Sequence, residues 1–224
     1  DPAEVRHVCM DMSAAYAKGA TLALPQADIS YDRFHVVAMA IQAMDDVRRE
    51  ELRAEPAQVA AALQGADPET RRNLLWGMRK NPVGWTAAQT DAMYWLQRSA
   101  LKSARAWRLR MALREVYARA RQHNSAEQAA SDLKAWTSWA RRCRLEPFKK
   151  LATTIKERFD AVVRGMLDHR SNAFVESMNG QLQQAKRAAR GYRTAKNFIA
   201  IAYLRLSRLK NLPAHPFSPA AAVS

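Results

Sequence analysis

Glu176 lies in the run Asn172-Ala173-Phe174-Val175-Glu176-Ser177-Met178-Asn179-Gly180 and is the last acidic residue of the chain. After it come Lys186, Arg187, Arg190, Arg193, Lys196, Arg205, Arg208 and Lys210, cations at helical spacings with no acid among them. One carboxylate heading a basic face suits an enzyme that holds a metal ion at one point of a nucleic acid and grips the phosphates on either side. Two more carboxylates, Asp11 and Asp32, each close a short, largely apolar run near the N-terminus.

The elements that must position these groups can be drawn from spacing. Val175, Met178, Leu182, Ala185 and Ala189 recur at three and four residues and form one apolar helical stripe. Glu176, Gly180, Gln183, Arg187 and Arg190 then share the opposite, polar face. Asn172 suits the N-cap and Gly191 the stop. A plainer reading stands beside the catalytic one: Glu176 as a first-turn acid favoured by the helix macrodipole, with the arginines complementing the far end. Near the N-terminus, Val5 to Asp11 reads as a strand, Ala14 to Leu24 as a helix capped by Ser13 and stopped before Pro25, and Ile29 to Asp32 as a second strand. That connection length suits a parallel pair with a right-handed crossover, so Asp11 and Asp32 belong at one sheet edge, where ligand sites of open α/β sheets gather.

The chain has 224 residues, 36 Lys and Arg against 21 Asp and Glu, a formal net charge of +15 and a pI near 10.4. Such a balance favours polyanionic partners. The longest apolar run, Phe198 to Leu204, falls well short of the roughly 20 residues that span a bilayer, and no signal peptide is recognisable, so a cytoplasmic protein without a membrane partner is expected. Cys9 and Cys143 are isolated and show neither disulfide nor zinc-ligand spacing. From Val36 to about Phe159 the signals are helical, broken at Pro56, Pro68, Pro82 and Pro147, and this stretch holds all six tryptophans. Within it Arg98, Lys102 and Arg105 form a basic stripe on a helix expected from Thr90 to Gln122, either a solvated face or a DNA contact. The tryptophans are expected mainly in its core.

Asp11 after a strand, Tyr31-Asp32-Arg33-Phe34-His35-Val36, a helical stretch, then Asn172-x-x-x-Glu176-x-x-Asn179, Lys186-Arg187, Gly191-Tyr192-Arg193 and Asn197-Phe198 follow in order. The ordered set resembles the C-terminal part of bacterial DDE transposases, closest to the insertion-sequence-L-three family, over about Val5 to Leu212. The resemblance implies a mostly α fold with a small parallel β element: a partial ribonuclease-H-like α/β domain with an all-helical insertion. It divides the chain into a partial core (1–36), the helical insertion (37–160), the glutamate-bearing and basic C-terminal helices (161–212) and a tail (213–224).

The same resemblance assigns Asp11 as the second catalytic aspartate and Glu176 as the final glutamate, both metal-binding, with Mg²⁺ or Mn²⁺ as cofactor. Asp32 and His35 match an Asp-x-x-His signature with a supporting role, though His35 is equally readable as a histidine satisfied by a local carboxylate. Lys186, Arg187, Arg190 and Arg193 would bind DNA. No small-molecule substrate is implied, and the active complex would be a homo-oligomer. Ala173, Ser177 and Gln183 depart from the family's usual Gly, Gly and Lys. The first catalytic aspartate has no counterpart, since Asp1 and Glu4 lie too close to Asp11 to come from a separate strand. The expectation is therefore a fragment of a transposase that cuts and joins DNA strands at insertion-sequence ends, inactive alone. The alternative is a non-catalytic DNA-binding remnant.

Overall fold

The computed structural model describes residues 1–64, 66–168 and 173–206, with residues 173–175 described by backbone alone. Asn172, Arg208, Lys210 and the 213–224 tail lie outside the described residues. The chain forms two units, Asp1–Ser171 and Asn172–Ser224.

The first unit opens with β1 (His7–Met10), α1 (Ala14–Ala23) and β2 (Asp28–Tyr31). The strands pair in parallel, His7 with Asp28 through Met10 with Tyr31, which is the small parallel element expected from sequence. Ser13 caps α1 by accepting the Tyr16 N–H, and the Asp32 carboxylate caps α2 (Arg33–Ala54) by accepting the Phe34 N–H at 2.8 Å. Each cap satisfies a backbone donor that the first helical turn leaves without a partner.

The rest of the unit is helical: α3 (Pro56–Ala62), α4 (Pro68–Arg79), α5 (Ala87–Arg98), α6 (Lys102–His123), α7 (Ala126–Arg142), α8 (Glu146–Glu157) and α9 (Phe159–Leu167). Pro56 and Pro68 begin their helices and Pro147 is the second residue of α8, positions where the missing N–H costs nothing. α2 packs on α6 and α8, α4 on α5, and α7 on α6, α8 and α9. Met44, Met93, Leu109, Leu113, Leu133, Phe148 and Ile155 are fully enclosed in that core. α9 returns to the sheet, where Gly165 lies so close to β2 that an added Cβ would stand 2.0 Å from the Tyr31 carbonyl oxygen. Arg164 Nε donates to the Ile29 carbonyl at 2.8 Å, and the Ser30 hydroxyl meets Asp168 at 3.2 Å. No described helix is long and apolar enough to cross a membrane.

The single helix expected from Thr90 to Gln122 is not formed. α5 ends at Arg98, where the Ser99 hydroxyl donates to the Leu96 carbonyl at 2.7 Å, and α6 begins at Lys102. Glu51 of α2 causes the break: its carboxylate is buried and accepts the N–H groups of Lys102 and Ser103, acting as a cap supplied from another helix. The basic stripe dissolves with it. Lys102 pairs with Glu55, Arg98 lies over the Tyr94 ring, and Arg105 turns to a different group of cations. The tryptophans also divide. Trp107 and Trp136 are buried and Trp85 stacks on Trp107 at 5.8 Å, whereas Trp76 and Trp139 are 49% and 44% exposed.

The second unit pairs α10 (Ala173–Ala188) with α11 (Ala195–Leu206). α10 ends in a Schellman motif: Arg190 takes the left-handed conformation (φ 52°), its N–H bonds the Arg187 carbonyl, and the Gly191 N–H reaches back to the Lys186 carbonyl at 2.9 Å. Gly191 follows at φ 101°, so glycine does mark the stop, one residue beyond the left-handed arginine. The Tyr192 hydroxyl donates to the Ala185 carbonyl and its ring meets Phe198 at 5.3 Å, tying the turn to both helices.

Candidate functional site

Because Met10 and Tyr31 are register partners, Asp11 and Asp32 leave the sheet at the same end. Asp11 is half-buried, and its Oδ1 accepts the Ser13 N–H at 2.9 Å, which fixes the carboxylate just before α1. The loop beyond it is held by Arg158, whose guanidinium donates to the Met12 carbonyl and stands 5.6 Å from the Tyr31 ring centre. Asp32 is 1% exposed and is committed to capping α2. His35, half-buried one turn along, donates its backbone N–H to the Asp32 carbonyl at 3.1 Å. Asp32 also acts on α6: burial first, and then the Asp32 charge, push the Tyr117 phenol above its ordinary range.

Asp11, Asp32 and His35 are thus gathered at one sheet edge of the first unit. Glu176 and the cations of α10 belong to the second unit. There Glu176 is exposed in the first turn of α10, and Lys186, Arg187, Arg190 and Arg193 are exposed at and beyond the far end. Gly180, Gln183, Arg187 and Arg190 share that exposed polar face with Glu176, while Met178, Leu182 and Ala185 of the apolar stripe are at least half-buried and Ala189 is exposed. The Val175 side chain lies outside the described residues.

Carboxylates are the right ligands for a hard divalent cation. Among the described residues, however, no three His, Cys, Asp or Glu side chains stand together as a metal-holding group. At the sheet edge Asp11 offers a carboxylate on a fixed backbone, while Asp32 spends one oxygen on the helix cap. The described residues by themselves therefore do not fit a bound divalent ion.

Sequence reading missed two groups of cations in the helical part. Arg105, Arg108, Arg142 and Arg144 surround the exposed Trp139 in a cleft of about 280 Å³. They come from α6, α7 and the turn after α7, where Arg144 adopts φ 58°, so no single spacing reports them. A larger basic cleft lies between α2, the end of α4 and α6.

A family of transposases of the DDE, insertion-sequence-L-three type matches residues 1–202. The transposase for insertion sequence element IS1557 from each of two Mycobacterium tuberculosis strains is 32% identical over 224 aligned residues, covering 92% of this chain. The chain spans about half the length of these curated relatives, 48%. No solved structure matches. With the family matched over most of the chain, and a parallel β-α-β element delivering Asp11 and Asp32 to one edge, the chain belongs to the DDE transposases of the insertion-sequence-L-three family.

Proposed function

We propose that this chain is the part of a transposase catalytic region that contributes Asp11 and Glu176 to DNA strand cleavage and strand transfer at insertion-sequence ends. The observation that carries the reading is the sheet edge: a parallel strand pair ends in Asp11, whose carboxylate is oriented by Ser13 and whose loop is anchored by Arg158. The β-α-β unit is then a portion of a ribonuclease-H-like sheet, and residues 37–160 are its helical insertion. Glu176 lies in the first turn of α10, and Arg187 and Arg190 extend along the same exposed face to hold phosphates. Asp32 and His35 act as positioning residues, since Asp32 sets where α2 begins and thereby the backbone beside Asp11.

Mg²⁺ or Mn²⁺ is the cofactor of the complete enzyme, and a third carboxylate from outside the described residues is needed before that ion has a site. The chain alone is accordingly inactive in cleavage while keeping its affinity for DNA. The test is strand cleavage of an insertion-sequence end by a longer transposase containing this chain, with Asp11→Asn and Glu176→Gln as variants. Loss of cleavage with DNA binding retained is expected. Cleavage by the Glu176→Gln protein at the parent rate would reduce Glu176 to a first-turn helix acid.

A further inference from the structure

The cleft between α2, the end of α4 and α6 has a volume of about 540 Å³ and is lined by Arg33, Arg79, Lys80, Arg110, Arg114 and Arg121, with no acidic residue among the described residues of its lining. Three of its features work against stability. Arg33 occupies the first position of α2, where the helix dipole disfavours a cation. Arg110 and Arg114 are like charges one turn apart on α6. Arg110 is only 3% exposed; its guanidinium closes the C-terminal end of α4 through the carbonyls of Met78, Arg79 and Lys80 and meets the Asn81 side-chain oxygen, and its Nε has no hydrogen-bond partner among the described residues. A buried charge with no counter-charge is costly, and in a low-dielectric floor it focuses positive potential into the opening above it. Tyr117 lies on the same floor, and its hydroxyl also has no hydrogen-bond partner among the described residues. At the rim, Phe34 is 54% exposed beneath the Arg33 guanidinium, 4.7 Å from its ring centre.

The cost of Arg110 is partly offset by closing the end of α4, and that of Arg79 by its pair with Asp45, but Arg33 and Arg114 gain no such carboxylate among the described residues of the cleft lining. An anion seated there offsets their charge and that of Arg110 together. We propose that this cleft binds the phosphodiester backbone of a DNA strand, as a second phosphate-holding surface besides α10. The inference rests on the reading of the chain as a DNA-acting protein and extends it to residues of the helical insertion. Arg33 directly follows Asp32, so the cleft adjoins the strand end that Asp32 closes.

The experiment titrates the full chain into a fluorescein-labelled 20-base-pair duplex without divalent metal, over a series of salt concentrations. Arg33→Ala with Arg114→Ala is compared with Arg71→Ala with Arg72→Ala, a control that removes two exposed arginines of α4 from outside the cleft. The cleft pair should weaken binding roughly tenfold and flatten the log K against log salt slope by about two units, whereas the control should change affinity less than about twofold. Tyr117→Phe keeps the ring and removes only the hydroxyl, and should weaken duplex binding without lowering thermal stability. Equal effects of the cleft and control pairs, or none from the cleft pair, would overturn the proposal. So would a cleft that takes inorganic phosphate in calorimetry while cleft variants bind the duplex like the parent. An Arg187→Ala, Arg190→Ala arm separates the failures: if it weakens binding and the cleft pair does not, only this inference falls. If neither does, the DNA reading falls with it.

Discussion

Asp45 and Asp11 are carboxylates of the same unit, provided for in opposite ways. Asp45 is buried in the middle of α2 and receives three guanidinium groups, from Arg48 and Arg49 at 2.8 Å and from Arg79 at 3.1 Å. The last of these crosses from α4, so the cluster ties two helices together. Asp11 ends a strand half-exposed and is oriented by a backbone N–H, while the nearby Arg158 is engaged by the Met12 carbonyl. A carboxylate surrounded by its own cations is a structural tie. One that is oriented without being neutralised keeps its charge for a ligand.

The largest effect that sharpens this contrast is on catalysis. In the longer transposase, Asp11→Asn should lower strand cleavage by on the order of 10³-fold or more on the proposed catalytic role of Asp11, because catalytic groups that act as a unit are not additive. The same substitution should change unfolding free energy by less than about 1 kcal/mol, since an asparagine side-chain oxygen can still accept the Ser13 N–H. Denaturant unfolding that showed Asp11→Asn to be strongly destabilising would place Asp11 with Asp45, as a structural acid.

Asp45→Asn should do the reverse. It leaves Arg48, Arg49 and Arg79 around a neutral group and should cost roughly 3 kcal/mol in urea unfolding. Gly165→Ala serves as a stability standard of similar size, because the Cβ cannot avoid the Tyr31 carbonyl without moving α9 off the sheet. An Asp45→Asn protein as stable as its parent would show the arginine cluster to be a surface ornament and remove one side of the comparison.

The acid dependence of stability follows from the same cluster. Burial raises the Asp45 carboxyl pKa, but the hydrogen bond and charge of Arg48, and then of Arg79, outweigh it and hold the pKa below the ordinary carboxylate value. A depressed folded-state pKa contributes stability that is present above the unfolded value and is lost as pH falls through the folded one. Between about pH 5 and pH 3 the parent should therefore lose more stability than Asp45→Asn, and the two unfolding curves should converge on acidification. Curves that stay parallel would mean that Asp45 is not held in its charged form by these arginines.

Where a residue acts on its own neighbours, the sequence is enough to read its effect. Ser13, the prolines and Gly191 are of this kind, so the β-α-β element, the breaks before α3, α4 and α8, and the end of α10 follow from short spacings. Groups that act across the chain leave no such trace. Glu51 caps α6 from about fifty residues upstream and breaks a pattern that reads locally as one helix. Arg79 reaches Asp45 across 34 positions, and the basic clefts draw their cations from separate elements. Trp76 and Trp139 look like their buried counterparts in composition and differ only in which way the folded helix turns them. At the site itself Asp11 and Asp32 read as equivalent strand-end acids. The structure separates them, because Asp32 begins a helix and is enclosed, while Asp11 precedes a loop and is not.

That separation supplies the smallest prediction. Asn is as good an N-cap as Asp, so Asp32→Asn should keep the Phe34 N–H bond and change stability by less than about 1 kcal/mol, where Asp32→Ala should cost about 1–2 kcal/mol by leaving that donor without a partner. In cleavage by the longer transposase, Asp32→Asn should fall well short of the Asp11→Asn loss, since the geometry of α2's first turn is preserved. Asp32→Ala should lower cleavage further, in step with its loss of stability. If Asp32→Asn abolished cleavage while leaving stability intact, the charge of Asp32 and not its cap would be what the reaction uses. Both strand-end acids would then belong with the chemistry, and the contrast between an enclosed and an open carboxylate would fail at the edge where it matters most.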